Sequence, residues 1–182
     1  MAILEHLIQE TEFAVVDIET TGLSPHTERI VEISVVRVAG TGEPEVLLNT
    51  LVDPERPMAG TEIHGITADD IKGAPTFAQV APLVRSALAG RVLVAHNVYF
   101  DYRFIKSQLG EVGAALEVPH LCTMYFGPLL KMLPRTPLID ACAMLGLQVE
   151  EKGLHSARVD ALAAASLLLR YLHECRTREI ST

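Results

Sequence analysis

The sequence predicts an α/β fold in which a mixed five-stranded sheet carries helices on both faces. The first observation is a run of strand-like segments joined by short loops near the N-terminus, which is typical of a meander. The second is an alternation of strand-like and helix-like segments from residue 77 onward. A meander pairs its strands antiparallel, whereas alternation is typical of parallel strands with crossover helices. The two patterns together therefore indicate a sheet with both antiparallel and parallel pairs.

The N-terminal meander is predicted to comprise strands over 13–19, 30–38 and 46–52. β-Branched residues are frequent in these segments, and Gly and Pro occur in the intervening loops, as expected for strands and turns. Residues 3–10 place apolar side chains on one helical face, which predicts a short helix before the first strand. That face packs either on the core of the same domain or on a partner.

The second half contains alternating elements. Pro82 lies inside the first helical segment and predicts either a kink or a late start. Thr67 followed by Asp70 predicts a further short helix upstream, because the pair resembles a capping box. No element is assigned to 124–134. The predicted elements are a helix over 77–89, a strand over 91–95, a helix from Asn97 to Gly110, a strand over 116–123, a helix from Pro137 to Gly146 and a helix over 157–173.

Bulk composition indicates one globular domain. The chain has 182 residues, 49% hydrophobic and 21% charged, with neither a membrane-spanning run nor a signal-peptide pattern. Its 3 cysteines include no CxxC pair, so neither a disulfide framework nor a zinc site is indicated. We therefore expect a reducing, cytoplasmic setting.

The net charge of −8 limits the modes of nucleic-acid binding. Proteins that hold long duplexes through their phosphates usually present a basic face. An acidic protein binds phosphates where metal ions supply positive charge locally. The composition therefore favours a small contact with a strand end over an extended groove.

Two acids interrupt the first predicted strand. Side chains at alternate strand positions share a face, so Asp17 and Glu19 lie one pleat apart on the same side. Two unpaired carboxylates on a partly buried face repel each other and are costly to desolvate. A divalent cation removes both penalties, because Mg²⁺ and Mn²⁺ prefer oxygen ligands. The alternative is a strand end at which both acids reach solvent or a basic neighbour.

Two later segments add candidate ligands. Asp101 falls in the first turn of a helix that follows a strand and His96-Asn97, although the helix dipole alone accounts for an acid there. Asp160 is the only acid in the apolar stretch 159–169, and a charge there needs a partner. Ser156 is expected to cap this last helix, and His155 lies just before it, where a surface role is the alternative.

These residues form an ordered set of motifs. They are Asp17-Ile18-Glu19-Thr20-Thr21-Gly22, His96-Asn97-Val98-Tyr99-Phe100-Asp101 and His155-Ser156-Ala157-Arg158-Val159-Asp160. In this order and spacing they resemble the motifs of the DEDDh 3′–5′ exonucleases, the DnaQ-like family that includes proofreading epsilon subunits of bacterial DNA polymerase III. The stretch Ile63-His64-Gly65-Ile66-Thr67 is also similar to that family.

The resemblance implies a ribonuclease H-like fold and hydrolysis of single-stranded DNA or RNA from its 3′ end, releasing nucleoside 5′-monophosphates. It implies two divalent cations, Mg²⁺ or Mn²⁺. Asp17 would bridge them, Glu19 and Asp160 would complete the tighter site, and Asp101 would support the second. His155 would be the general base, as an imidazole pKa near 6.5 permits.

The same resemblance implies a pocket for the terminal nucleotide. Phe100 also lies at helical core spacing from Phe104, so packing is its alternative role. For His64 a purely structural loop role stays open, and His96 is expected to be structural. The implied substrate-binding residues are Thr20, Thr21, His64, Asn97 and Phe100.

Some features depart from the family. Leu121-Cys122-Thr123 stands where relatives often carry an Asp after the fifth strand. The chain ends soon after its last predicted helix, so we expect a stand-alone enzyme, with a polymerase subunit as the alternative. A second alternative is a retired exonuclease fold that only binds nucleic acid or protein. The expected organisation is a single exonuclease domain over 1–182, with a helical extension over 1–12 and a catalytic core over 13–172.

Overall fold

The computed structural model describes residues 10–40, 42–149 and 156–178. Strand β1 (Glu12–Thr20) lies at the centre of one sheet, with the order β3-β2-β1-β4-β5. β1 and β3 run antiparallel to β2, whereas β1 and β5 run parallel to β4. The predicted mixed five-stranded sheet is therefore confirmed. The other strands are β2 (Ile30–Ala39), β3 (Glu45–Leu51), β4 (Val92–Ala95) and β5 (His120–Cys122).

Helices cover both faces of this sheet, as predicted. Ala14, Val16 and Ile18 of β1 join a buried cluster with the second and third helices, whereas Phe13 and Val15 face the last helix. Asp17 and Glu19 share the alternation of Phe13 and Val15 and so belong to the face of the last helix. The helices of the described residues are α1 (Thr61–His64), α2 (Phe77–Leu88), α3 (Val98–Glu111), α4 (Thr123–Leu129), α5 (Leu138–Met144) and α6 (Ala157–Thr177).

Small side chains bring α6 close to the sheet. Ala161, Ala164 and Ala165 are buried in the cluster that contains Phe13 and Val15. An alanine face lets the helix backbone approach the strands, which fixes the position of the first turn of α6 relative to β1. No helix of the described residues is long and apolar enough to cross a membrane.

The short helix predicted to begin at Thr67 was wrong. Thr67 and Asp70 form both capping-box hydrogen bonds, since Asp70 Oδ2 accepts the Thr67 N–H at 2.8 Å and Thr67 Oγ1 accepts the Asp70 N–H at 3.4 Å, but the chain turns there instead of continuing as a helix. Burial of Ile66 and Ile71 against Val31 holds this segment as a compact loop.

Other differences concern prolines and the last strand. α2 begins at Phe77 and continues through Pro82, so the alternative of a late start was wrong. β5 is short, and the unassigned segment after it contains α4. Pro137 is the N-cap residue of α5 and not its first helical residue. The helix predicted over 3–10 lies outside the described residues except for Glu10.

Candidate active site

Three carboxyl groups converge between β1 and α6. Oxygen atoms of Asp17, Glu19 and Asp160 all lie within 4.8 Å of one another, and all three residues are partly exposed. β1 supplies the first two because its alternation directs both towards α6. α6 supplies the third from its first turn. Residues that are distant in sequence thus form one acidic cluster, as the resemblance implied.

Asp101 joins this cluster from the first turn of α3. The residue is only 4% exposed, and its charge raises the pKa of Asp17. Burial raises the pKa of Asp101 to about 8, although interactions with the backbone at Asp101 and Ile18 act in the opposite direction.

The cluster holds its protons unusually strongly. Burial, followed by the charges of Asp101, Asp160, Glu19 and Glu32, raises the pKa of Asp17 well above its ordinary value. Burial, followed by Asp160, Glu32 and Asp101, raises the pKa of Glu19 to about 8. Carboxyl groups that resist ionisation together are stabilised as anions by a cation. The donor set, carboxylate oxygens alone, fits a hard divalent cation.

Glu32 is a feature of the site that the sequence analysis missed. It lies opposite Glu19 in the β1–β2 register and is 8% exposed. Its Oε2 accepts the N–H of Ala157 at 2.9 Å, and its Oε1 accepts the hydroxyl of Ser156 at 3.4 Å. A carboxylate from β2 thus caps α6 and fixes the turn that carries Asp160. The signal was available, since Glu32 interrupts an apolar strand as Asp17 does.

Ser156 was predicted to cap α6, and the prediction was right about its position but wrong about its side chain. Ser156 is the N-cap residue of α6, but its side chain makes no capping hydrogen bond to the helix and contacts Glu32. His155, the predicted general base, lies outside the described residues. Its role remains a prediction.

The two threonines after Glu19 are engaged in local structure. The Thr20 hydroxyl donates to Gly22 O at 2.7 Å. The Thr21 hydroxyl donates to Glu28 Oε2 at 2.6 Å and accepts the Arg29 N–H at 3.0 Å. Both residues are buried, so their side chains shape the loop at the end of β1.

His64 is placed beside that loop. Its Nδ1 accepts the N–H of Ile66 at 3.1 Å, and Nε2 lies 3.3 Å from Ala59 O. Gly60 permits the approach, because a Cβ there would lie 3.0 Å from Thr20 O and 3.1 Å from His64 Nε2. The structural role of His64 is thus visible, and its position at the end of β1 is compatible with the predicted pocket.

Asn97 and Phe100 line a cavity of about 180 Å³. Leu23 and Pro25, from the loop after β1, line its opposite side. The Phe100 ring also lies 5.0 Å from that of Phe104, so it serves in packing as well as in lining the cavity. Of the predicted substrate residues, these two share the cavity, whereas Thr20, Thr21 and His64 are not among its lining residues.

His96 has the structural role that was predicted. Its Nδ1 lies 3.0 Å from Thr123 Oγ1, and its Nε2 lies 2.9 Å from Thr136 O. Burial lowers its pKa, which favours the neutral imidazole. Thr123, the first residue of α4, is buried and also donates to Ala95 O at 3.4 Å. His96 and Thr123 thus join the ends of β4 and β5.

Comparisons with known proteins agree with this geometry. The family model described as Exonuclease (RNase T) matches residues 14–168. The chain is 33% identical over 186 aligned positions to a DNA polymerase III subunit epsilon-like protein of Rhodobacter capsulatus, covering 100% of the chain and 26% of that protein. It is 36% identical over 165 residues to the PolC-type DNA polymerase III of Clostridium perfringens, covering 87% of the chain and 11% of PolC.

A solved structure extends the comparison to the fold. Exonuclease X in complex with 5′ overhanging duplex DNA is 26% identical with a TM-score of 0.68, over 88% of this chain and 91% of that one. The chain spans about a quarter or less of the length of the two polymerase-related proteins. With the family model covering most of the chain, and the fold and acidic cluster agreeing with it, this protein belongs to the DnaQ-like exonuclease family and has its ribonuclease H-like fold.

Proposed function

We propose that this protein is a 3′–5′ exonuclease that hydrolyses single-stranded nucleic acid with two divalent cations and releases nucleoside 5′-monophosphates. The observation that carries the proposal is the convergence of Asp17, Glu19 and Asp160 within 4.8 Å. Asp101 adds a fourth carboxyl group, coupled electrostatically to Asp17. The carboxylates of such a cluster repel one another and lose hydration, which destabilises the fold. Bound cations would offset both costs.

The four acids would divide the work of holding Mg²⁺ or Mn²⁺. Asp17 would contact both ions, Glu19 and Asp160 would complete one site, and Asp101 would support the other. When bound, the cations stabilise the charges that develop during in-line displacement at a phosphodiester. Glu32 would hold the first turn of α6, and therefore Asp160, in place through its bond to Ala157. His155 would take the proton of the attacking water.

The cavity beside Asn97 and Phe100 would receive the terminal nucleotide. Its walls come from α3, which carries Asp101, and from the loop that follows the Asp17–Glu19 strand, so an occupant would contact two elements that position these acids. Thr20, Thr21 and His64 would support this wall through the local hydrogen bonds already described. An acidic protein with a pocket of this size is suited to a strand end.

The cellular role is part of the same proposal. Cys122, Cys142 and Cys175 are buried free thiols, which supports a reducing, cytoplasmic setting. The relatives named as polymerase III proteins support association with a polymerase as an alternative to independent action.

Digestion of unlabelled oligonucleotides, followed by separation of the products, tests the activity. We expect nucleoside 5′-monophosphates and a ladder shortened from the 3′ end, in Mg²⁺ or Mn²⁺ and not in EDTA. Matched DNA and RNA strands would assign the substrate. Asp17→Asn should abolish hydrolysis, whereas Asp69→Asn, on an acid whose side chain is 84% exposed, should not.

Two outcomes would contradict the proposal. Shortening from the 5′ end would overturn the direction. Failure to shorten DNA or RNA with either cation, while the protein still binds the oligonucleotide, would favour the retired, binding-only alternative.

A further inference from the structure

Resting on the proposed function, we infer that a surface beside the nucleotide cavity binds the single strand upstream of the terminal nucleotide. We name it the aromatic–basic face and define it by Tyr99, Tyr102, Arg103 and Lys106 of α3, together with Tyr125 of α4 and Arg135 of the loop before α5. Bases would stack on Tyr99 and Tyr125, and phosphates would contact Arg103 and Arg135.

The α3 part of this face follows from helical geometry. Residues three, four and seven positions apart lie on one side of a helix, so Tyr99, Tyr102, Arg103 and Lys106 form one stripe. Tyr99 is 49% exposed, and Arg103 and Lys106 are also exposed. The Lys106 ammonium lies 5.7 Å from the centroid of the Tyr102 ring. Aromatic rings and cations therefore share this side of α3.

α4 and the loop after it extend the stripe. The rings of Tyr99 and Tyr125 meet edge to face, with centroids 6.4 Å apart and an interplanar angle of 71°. Tyr125 is 47% exposed, and the guanidinium of Arg135 lies 5.3 Å from its ring centroid. Arg135 and the edge-to-face contact each cover part of these rings, but both tyrosines stay about half exposed and keep surface on which a base can stack.

His120 of β5 contacts two of these rings. Its ring lies 5.9 Å from that of Tyr99, in an edge contact, and 4.8 Å from that of Tyr102. Contacts from β5 to two aromatic residues of α3 restrict their movement, which reduces the entropy lost when a ligand binds.

The face is continuous with the site already described. Tyr99 and Arg103 line the cavity that contains Asn97 and Phe100, and Tyr99 also contacts Tyr125. A strand whose terminal nucleotide occupies the cavity therefore passes directly onto the rings. This continuity assigns the upstream nucleotides, and not an unrelated ligand, to the surface.

The charge of the face fits a polyanion. The protein carries a net charge of −8, and basic residues such as Arg29, Arg37 and Arg91 are ion-paired. Arg103, Lys106 and Arg135, in contrast, form no ion pair with another described residue. Exposed cations interleaved with stacking rings are the combination by which proteins hold single strands without reading sequence.

The test compares hydrolysis of an unlabelled dinucleotide with that of an unlabelled single strand of about twelve nucleotides. We expect Tyr125→Ala to lower the ratio of kcat/KM for the long substrate to that for the short one at least about fivefold, the smallest effect typical of losing one base–aromatic contact. Arg135→Ala should lower the same ratio, because one phosphate contact is lost. Tyr125→Phe keeps the ring and should retain the ratio. Arg85→Ala, at an exposed arginine on α2, is the matched control for loss of a cation.

Binding provides an independent measurement. In an Asp17→Asn background, calorimetric titration with the longer strand should give a Kd raised at least about fivefold by Tyr125→Ala. Arg135→Ala should also reduce the salt dependence of log Kd by about 0.7, as expected for one lost phosphate contact.

The two proposals can fail separately. A wild-type protein that hydrolyses both substrates, with the ratio and the Kd unchanged in Tyr125→Ala and Arg135→Ala, would overturn the aromatic–basic face alone. A protein that hydrolyses neither substrate would overturn the proposed function, and the calorimetric comparison would still decide whether the face binds single strands.

Discussion

Replacing Glu19 with glutamine is expected to stabilise the metal-free protein near neutral pH while removing its response to metal. In the folded chain, burial and the charges of Asp160, Glu32 and Asp101 raise the pKa of Glu19 from 4.5 to about 8. The folded protein therefore binds more protons than the unfolded chain between these two values. The sign follows from linkage: the stability of the wild type falls as pH rises through this window.

The size of the effect follows from the same shift. One pKa unit corresponds to about 1.4 kcal/mol, so keeping this carboxyl protonated near pH 7.5 costs at most about 4 kcal/mol. Glu19 is partly exposed, and solvent screening reduces the expected effect to about 1–2 kcal/mol. For a chain of this length, that corresponds to a rise in Tm of about 2–8 °C in Glu19→Gln.

Thermal denaturation in EDTA, near pH 5 and near pH 7.5, measures the prediction. The difference between Glu19→Gln and wild type should be large at the higher pH and much smaller at the lower, because the stability lost by the wild type grows with each pH unit above 4.5, where the unfolded chain releases this proton. Mg²⁺ at one hundred times its Kd should stabilise the wild type by about 2.7 kcal/mol and so raise its Tm. The Tm of the variant should rise much less.

Glu117→Gln is the matched control, because it makes the same chemical change at an exposed position before β5. Equal melting temperatures of Glu19→Gln and wild type in EDTA near pH 7.5 would refute the reasoning. So would an undiminished Mg²⁺ response in the variant, because it would place the cation elsewhere.

Three further predictions concern neighbouring residues. Asp101→Asn should raise the Mg²⁺ concentration for half-maximal hydrolysis at least about tenfold, measured by metal titration, because a ligand is lost; an unchanged requirement would remove Asp101 from the metal site. Glu32→Ala should lower the free energy of unfolding by about 0.5–2 kcal/mol in saturating Mg²⁺, because α6 loses its cap, and Glu32→Gln by less; equal stability in denaturant titration would contradict this. His155→Ala should reduce kcat at least about 100-fold without abolishing the Mg²⁺-induced rise in Tm, and a normal rate would exclude His155 as the base.

The sequence was most informative where the determining interactions are local. Alternation along β1 was enough to place Asp17 and Glu19 on one face, and the structure confirms that both meet Asp160. The order of strands and helices was enough to predict the mixed sheet. Short elements were harder, because few residues carry their pattern: α1 was missed, and the Thr67–Asp70 pair formed its hydrogen bonds in a turn.

Side-chain partners between distant segments required the tertiary structure. The bond between Glu32 and Ala157 joins residues 125 positions apart, and no local periodicity reports on it. The edge contact between Tyr99 and Tyr125 likewise depends on how α3 and α4 lie beside β5.

By itself, the sequence determined the fold class and the shared face of Asp17 and Glu19, because strand alternation is a property of neighbouring residues, and the resemblance to the exonuclease family implied the two further acids. Only the tertiary structure decided that Glu32 caps α6 and that Thr21 is bonded to Glu28. It also decided that Tyr99 connects the nucleotide cavity to the aromatic–basic face. The physical reason is that hydrogen bonding and packing between remote segments depend on the relative positions of whole elements, which burial of the common core fixes.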